Sequence, residues 1–202
     1  MGCTRVDPKA VPDALTQVIA IDFDGVVTDH TSVKSTKFRE QGFDLDPSET
    51  DRQFCINRRG VHEEIYNEVS RETNLSLETT PLRTGVYDGL ISLQNAGYTP
   101  VIITSRYDDE ATAMMEYIDH HDLPVDWYIN TDRRPKSAAL VATDAIALID
   151  DSYYKIKAVS ESPAANGRDL LFFRHEANRY REIDTPAVGT VNGWSELVDI
   201  YC

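Results

Sequence analysis

The chain has 202 residues, of which 34 are Asp or Glu and 20 Lys or Arg, giving a formal net charge of −14. A surface this anionic repels nucleic-acid backbone at long range, and no apolar stretch is long enough to span a bilayer, so neither duplex nucleic acid nor a membrane is an expected partner. Three scattered cysteines, Cys3, Cys55 and Cys202, have neither metal-ligand spacing nor the pattern of a disulfide framework, and point to a reducing, cytoplasmic setting.

Residues 1–12 read as a loose arm. They lack the apolar core of a signal peptide, and Met1-Gly2-Cys3 opens like a lipidation signal whose expected Ser or Thr is replaced by Val6. Residues 18–28, Val-Ile-Ala-Ile-Asp-Phe-Asp-Gly-Val-Val-Thr, are the most informative stretch. A buried strand should stop at its first charge, and side chains two apart on an extended segment point the same way, so Asp22 and Asp24 face one small volume. Gly25 then lets the chain turn away. Two carboxylates held that close raise one another's pKa unless a cation or a shared proton lies between them, which points to a hard divalent metal such as Mg2+.

Residues 29–80 are polar and do not continue an alternation of strands and helices. Val61, Ile65 and Val69 recur every four residues after Gly60 and predict a helix, while Asn57, Arg58 and Arg59 read as a solvated basic turn before it. From residue 85 onward helices and strands alternate, which argues for a parallel sheet. Helices are expected over 85–95, 108–121, 136–142, 152–160 and 195–201, and strands over 99–104, 127–129, 145–149 and 170–173. The expected fold class is therefore α/β: a Rossmann-like, mostly parallel sheet with helices on both faces. Its core takes residues 13–28 and 81–202, and a small helical cap, residues 29–80, is inserted after the first strand.

Three more polar groups fall at strand or helix ends. Residues 99–106 close on the hydroxyls of Thr104 and Ser105; Lys136 follows Pro135 at a helix start; residues 145–151 end in the acidic pair Asp150 and Asp151. In an open parallel sheet ligands bind beyond the carboxyl ends of the strands, so these groups should converge. Each alone has an ordinary structural explanation, whereas the order is specific. An aspartate with a second aspartate two residues on, then a hydroxyl, a lysine and an acidic pair, resembles the haloacid dehalogenase superfamily of phosphohydrolases.

That resemblance implies Asp22 as nucleophile, forming an aspartyl-phosphate, and Asp24 as the acid and base that serves the leaving group and the attacking water. It implies Thr104, Ser105 and Lys136 as phosphate-binding groups, and Mg2+ held by Asp22, the main-chain carbonyl of Asp24, and the Asp150–Asp151 pair, with the direct ligand of that pair left open. A small phosphorylated molecule is the implied substrate. Thr104-Ser-Arg, residues 123–128, Lys136 and Asn192-Gly-Trp-Ser-Glu-Leu look like the small 5'-nucleotidases of the deoxyribonucleotidase-like group, for which Tyr66, Phe43 and Phe54 are available aromatics; a sugar-phosphate phosphatase is the alternative. A signalling receiver uses similar groups but carries its acidic pair first and its lysine last. A catalytically inactive binding protein would not need the full set. Abundant Asp beside only six lysines also resembles proteins of salt-loving organisms.

Overall fold

The computed structural model describes residues 2–12, 15 and 17–202, so Met1 of the expected arm and residue 13, the expected start of the core, lie outside it, as do residues 14 and 16. Seven strands form one sheet: β1 (Thr4–Arg5), β2 (Val18–Ile21), β3 (Thr99–Thr104), β4 (Trp127–Asn130), β5 (Ala147–Asp150), β6 (Asp169–Phe173) and β7 (Val188–Val191). The order is β1-β4-β3-β2-β5-β6-β7 and every pairing is parallel. Parallel sheets are covered on both faces, which is why these strands read as unbroken apolar runs.

Alternation along each strand sorts the core into two layers. Ile19, Ile21, Ile102, Ile149 and Phe173 join one cluster, where Leu90, Met114 and Trp194 pack; these come from helices α3 (Val86–Asn95), α4 (Asp108–His120) and α7 (Trp194–Tyr201). Val18, Ala20, Val101, Leu148 and Phe172 face the other way onto Leu140 of α5 (Ser137–Ala142) and Ile156 of α6 (Tyr153–Ser160). The two layers are the Rossmann-like α/β arrangement expected from the sequence.

The N-terminal segment departs from a loose arm. The Thr4 amide donates to the Asp126 carbonyl and the Val6 amide to the Tyr128 carbonyl, each at 2.7 Å. Cys3 and Val6 are buried, one in each core layer. Two residues of strand are too few to show a period of two, so nothing in the sequence marks β1. β7 escaped for a related reason: only its end residues, Val188 and Val191, are buried, and Gly189 interrupts it.

Between β2 and α3 the chain builds a helical insertion around a third cluster of Phe38, Leu45, Cys55, Val61, Tyr66 and Val69. Its two longer helices are α1 (Thr31–Glu40) and α2 (Glu63–Leu75), with a π-helical turn at Phe54–Arg58. The valine spacing marked α2, but α1 was not expected, because it turns Thr31, Lys34 and Ser35 inward beside Phe38. The linkers into and out of the insertion pair with each other: Thr28 bridges Leu82, the Asp29 amide donates to the Pro81 carbonyl (2.8 Å) and the Arg83 amide to the Val27 carbonyl (2.9 Å). No helix among the described residues is long and apolar enough to cross a membrane.

Candidate active site

β2 delivers Asp22 at the sheet's carboxyl edge, where the Asp22 amide still donates to Ile149 of β5 at 2.8 Å. Phe23 turns into the core and meets the Tyr117 ring edge-on. The amides of Val27 and Thr28 both donate to the Phe23 carbonyl, closing a tight turn. Gly25 sits at its sharpest point with φ +78°; a Cβ there would fall 2.0 Å from Asp151 Oδ2. Glycine is thus required twice over, by the backbone angle and by the approach of a carboxylate.

Asp22, Lys136 and Asp150 form a buried unit. Lys136 Nζ donates to Asp22 Oδ1 at 2.8 Å and to Asp150 Oδ2 at 2.6 Å, and none of the three side chains is more than 2% exposed. Lys155, in the first turn of α6, places its ammonium 3.3 Å from Asp22 Oδ2. Burial alone would raise the Asp22 pKa, but Lys136 and Lys155 outweigh it and hold the carboxyl below its usual range. Asp150 takes the opposite direction: burial first, then the Asp22 charge, push it up to about 7. One carboxylate is thereby kept ionised and its neighbour short of positive charge.

Asp151 completes a group of three. One oxygen from each of Asp22, Asp150 and Asp151 lies within 4.8 Å of the others. An all-oxygen donor set with a charge deficit at Asp150 fits a hard divalent cation. Asp151 Oδ2 lies 3.0 Å from His175 Nε2, and Asn178 donates to the Asp151 carbonyl at 3.0 Å, so the outer face of the group is itself held in place.

The Asp24 side chain is elsewhere. Arg106 grips it with two hydrogen bonds, Nη2 to Oδ1 at 2.6 Å and Nε to Oδ2 at 3.0 Å. Burial would raise its pKa, but Arg106 outweighs this and lowers it. Arg106 is 2% exposed, lies over the Phe23 ring and donates to the carbonyls of Asn74 and Glu110. It therefore ties the turn after β2 to both the insertion and α4. The expected metal contact from this residue concerned its main-chain carbonyl; the carboxylate is not one of the three clustered above.

Above these groups lies a cavity of about 580 Å3 between sheet edge and insertion, lined by Asp24, Thr104, Ser105, Asp151 and Lys155 on the core side. His30, Lys34, Arg52 and Tyr66 line it from the insertion side. Tyr107 and Tyr154 also border it, 44% and 47% exposed. The insertion is fastened across the opening by Arg181, which bonds both Asp51 oxygens at 2.9 and 3.2 Å and reaches Gln53, while Phe54 stacks on Tyr180.

The structure thus brings Asp22, Lys136, Asp150 and Asp151 together and sets Thr104, Ser105 and Asp24 on the wall of the same cavity. Arg106, Lys155, His175 and Lys34 were not anticipated as parts of it. Arg106 and Lys155 had weak signals: one ends the β3 run beside two polar residues, the other lies one helical turn after the acidic pair. Phe43 and Phe54 do not line this cavity; Phe43 packs on the insertion's own core.

No family model matches the sequence, and no curated protein is similar to it by sequence. Among solved structures it is similar to a HAD-superfamily hydrolase from Ehrlichia chaffeensis, with 14% identity over 93% of this chain and 97% of that one and a TM-score of 0.56. A predicted phosphatase from Clostridium acetobutylicum gives a TM-score of 0.61 at 16% identity, covering 93% of this chain and 98% of that one. CbbY from Rhodobacter sphaeroides, in complex with xylulose-1,5-bisphosphate, gives 0.56 at 16% identity over 91% and 96%. The fold is that of the haloacid dehalogenase-like hydrolases, and the acidic group stands at its sheet edge.

Proposed function

We propose that the protein is a Mg2+-dependent phosphomonoester hydrolase in which Asp22 attacks phosphorus and carries the phosphoryl group as an aspartyl-phosphate. The observation that carries this reading is the buried Asp22–Lys136–Asp150 unit, which keeps one carboxylate ionised at a strand end, clustered with Asp151 on the cavity wall. Asp22, Asp150 and Asp151 would hold the metal, which when bound supplies positive charge against the anionic phosphate.

The remaining steps belong to side chains. An Asp22 oxygen forms a bond to phosphorus as the bond to the leaving oxygen breaks. Lys136 and Lys155 offset the charge of nucleophile and phosphate, and the Thr104 and Ser105 hydroxyls donate to phosphoryl oxygens. Asp24 gives a proton to the leaving oxygen, then takes one from the water that attacks phosphorus and releases Asp22. Its ion pair with Arg106 presents it in the base form, so the acid half of its work requires the carboxylate to leave Arg106. Residues 28–29 and 81–83, which pair as a hinge, and the Arg181 fastening are the parts whose movement would admit substrate and exclude water.

Nucleoside monophosphates are the substrates favoured by the sequence resemblance, with Tyr107 and Tyr154 as exposed rings for a base to stack on. Small sugar phosphates are the second reading, favoured by the bisphosphate named in the CbbY complex and by the cations on the insertion side of the cavity. Phosphate release from nucleoside monophosphates, sugar phosphates and p-nitrophenyl phosphate, with Mg2+ and with chelator, tests the proposal. Metal-dependent turnover lost in Asp22→Asn supports it. Full turnover by that variant, or none by the wild type at any salt concentration, refutes it.

A further inference from the structure

Most cations around the cavity are already matched: Arg106 with Asp24, Arg181 with Asp51, Arg71 with Asp109 and Glu110, Arg52 with Glu63, Lys155 with Asp22. Lys34 is not. It is 8% exposed, its Nζ donates to the Tyr66 hydroxyl at 3.3 Å, and among the described residues it makes no ion pair. In a chain with 34 acidic residues against 20 basic ones, a carboxylate partner would be easy to supply. A buried ammonium without one costs stability and is tolerated where another anion completes it.

His30 stands beside it. The Lys34 amide donates to the His30 carbonyl at 2.9 Å, so the two residues sit one helical turn apart at the start of α1 and both border the cavity. Among the described residues, the buried His30 Nδ1 has no hydrogen-bond partner. Burial first, then the charges of Lys34 and its neighbours, hold the His30 ring neutral, so it offers a hydrogen bond without a second charge. Lys34 stays charged: burial opposes this, but Tyr66, Asp24 and Asp151 outweigh it.

We propose that Lys34, His30 and Tyr66 form a subsite on the insertion for a second anionic group, a carboxylate or phosphate, on the leaving-group side of the substrate. The inference rests on the hydrolase reading and narrows it toward phosphorylated acids or bisphosphates, since a nucleoside monophosphate carries no second anion. The ammonium and the ring line the cavity from the insertion, whereas Thr104 and Ser105, the hydroxyls assigned to the transferred phosphate, line it from the core side.

The test compares matched substrates with Mg2+: phosphoglycolate against 2-hydroxyethyl phosphate, and fructose 1,6-bisphosphate against fructose 6-phosphate. The expected result is a higher kcat/KM for the doubly anionic member of one pair, with that ratio falling about 10- to 100-fold in Lys34→Gln and recovering in part in Lys34→Arg, as for loss of one charged hydrogen bond. The responding pair identifies carboxylate or phosphate. A ratio unchanged in Lys34→Gln overturns the subsite, as does a wild type with no preference in either pair. If Lys34→Gln does not fold, Tyr66→Phe, which removes the hydroxyl bonded to the ammonium, must shift the same ratio. Should no ester be turned over, the hydrolase reading falls, and calorimetric titration of phosphonoacetate against methylphosphonate decides the subsite alone. A preference for phosphonoacetate that Lys34→Gln abolishes sustains it; equal affinities overturn it.

Discussion

Replacing Lys136 by Met would remove the ammonium that lies 2.8 Å from Asp22 and 2.6 Å from Asp150 while keeping most of the stem's volume. Removing one partner of a buried ion pair costs about 3–5 kcal/mol, because the other charge stays buried. Lys155 remains 3.3 Å from Asp22, so the lower end, about 3 kcal/mol, is expected at pH 8. For a chain of this size that is roughly 6–12 °C in Tm. The loss must depend on pH. Asp150 has its folded-state pKa raised from 3.8 to about 7, so the folded protein holds a proton that the unfolded chain releases, and stability falls as pH rises from about 4 to about 7. Without Lys136 the Asp150 pKa rises further, and the decline continues above neutrality. Urea unfolding in metal-free buffer at pH 5, 6.5 and 8 should therefore show a smaller deficit for Lys136→Met at the acid end, where only the Asp22 pair is lost, and the full one at pH 8. Adding Asp150→Asn should restore much of it. A deficit equal at all three pH values, or a double variant no more stable than the single, refutes the charge argument.

Gly25→Ala should cost about 1–2 kcal/mol from the left-handed backbone angle alone, and should also push Asp151 aside, weakening Mg2+ binding about 10- to 100-fold, read as a shift in the Mg2+ dependence of Tm. Arg181→Ala should speed hydrogen exchange in α1 and α2 while moving global Tm by no more than about 3 °C, since the half-buried Asp51 pair holds the insertion and not the sheet. Gly89→Ala would drive a Cβ to 2.3 Å from the Trp194 ring; overpacking of about 1–3 kcal/mol should outweigh the gain in helix propensity, and a rise in Tm would contradict it. If self-repulsion of the −14 charge limits stability, Tm should climb steadily from low to multimolar KCl, and a flat profile would remove the reason to link this composition with a high-salt habitat.

What could be read from the sequence follows from burial. Because β2, β3 and β5 are covered on both faces, a charge or hydroxyl can appear only where each strand ends, which marked Asp22, Thr104 and Asp150 and put them on one edge. Lys136 was legible through the proline before its helix. What escaped is long-range or polar. The Arg106–Asp24 pair spans 82 positions, and nothing local in Arg106 says which carboxylate it will hold. In α1 the inward face includes Thr31, Lys34 and Ser35, of which Lys34 lines the cavity while Thr31 bonds Asp29 and Glu176 and Ser35 the Leu45 carbonyl, so the hydrophobic period that reveals a helix is missing there. β1 consists of two residues whose only instruction is the free edge of β4.

The indole of Trp194 donates to the Val26 carbonyl at 2.9 Å across 168 positions, and β2 gains its second neighbour only with β5. The turn that carries Asp22 is thus made well before the β5 and Trp194 partners that fix it. A chain stopped short of residue 194 would contain every acidic residue of the site and still lack the prop beneath it. Folding must wait for these distant pairings, which makes it slow relative to a helical bundle of equal size. During synthesis, therefore, the Asp22 turn is held in place only once Trp194 has been added.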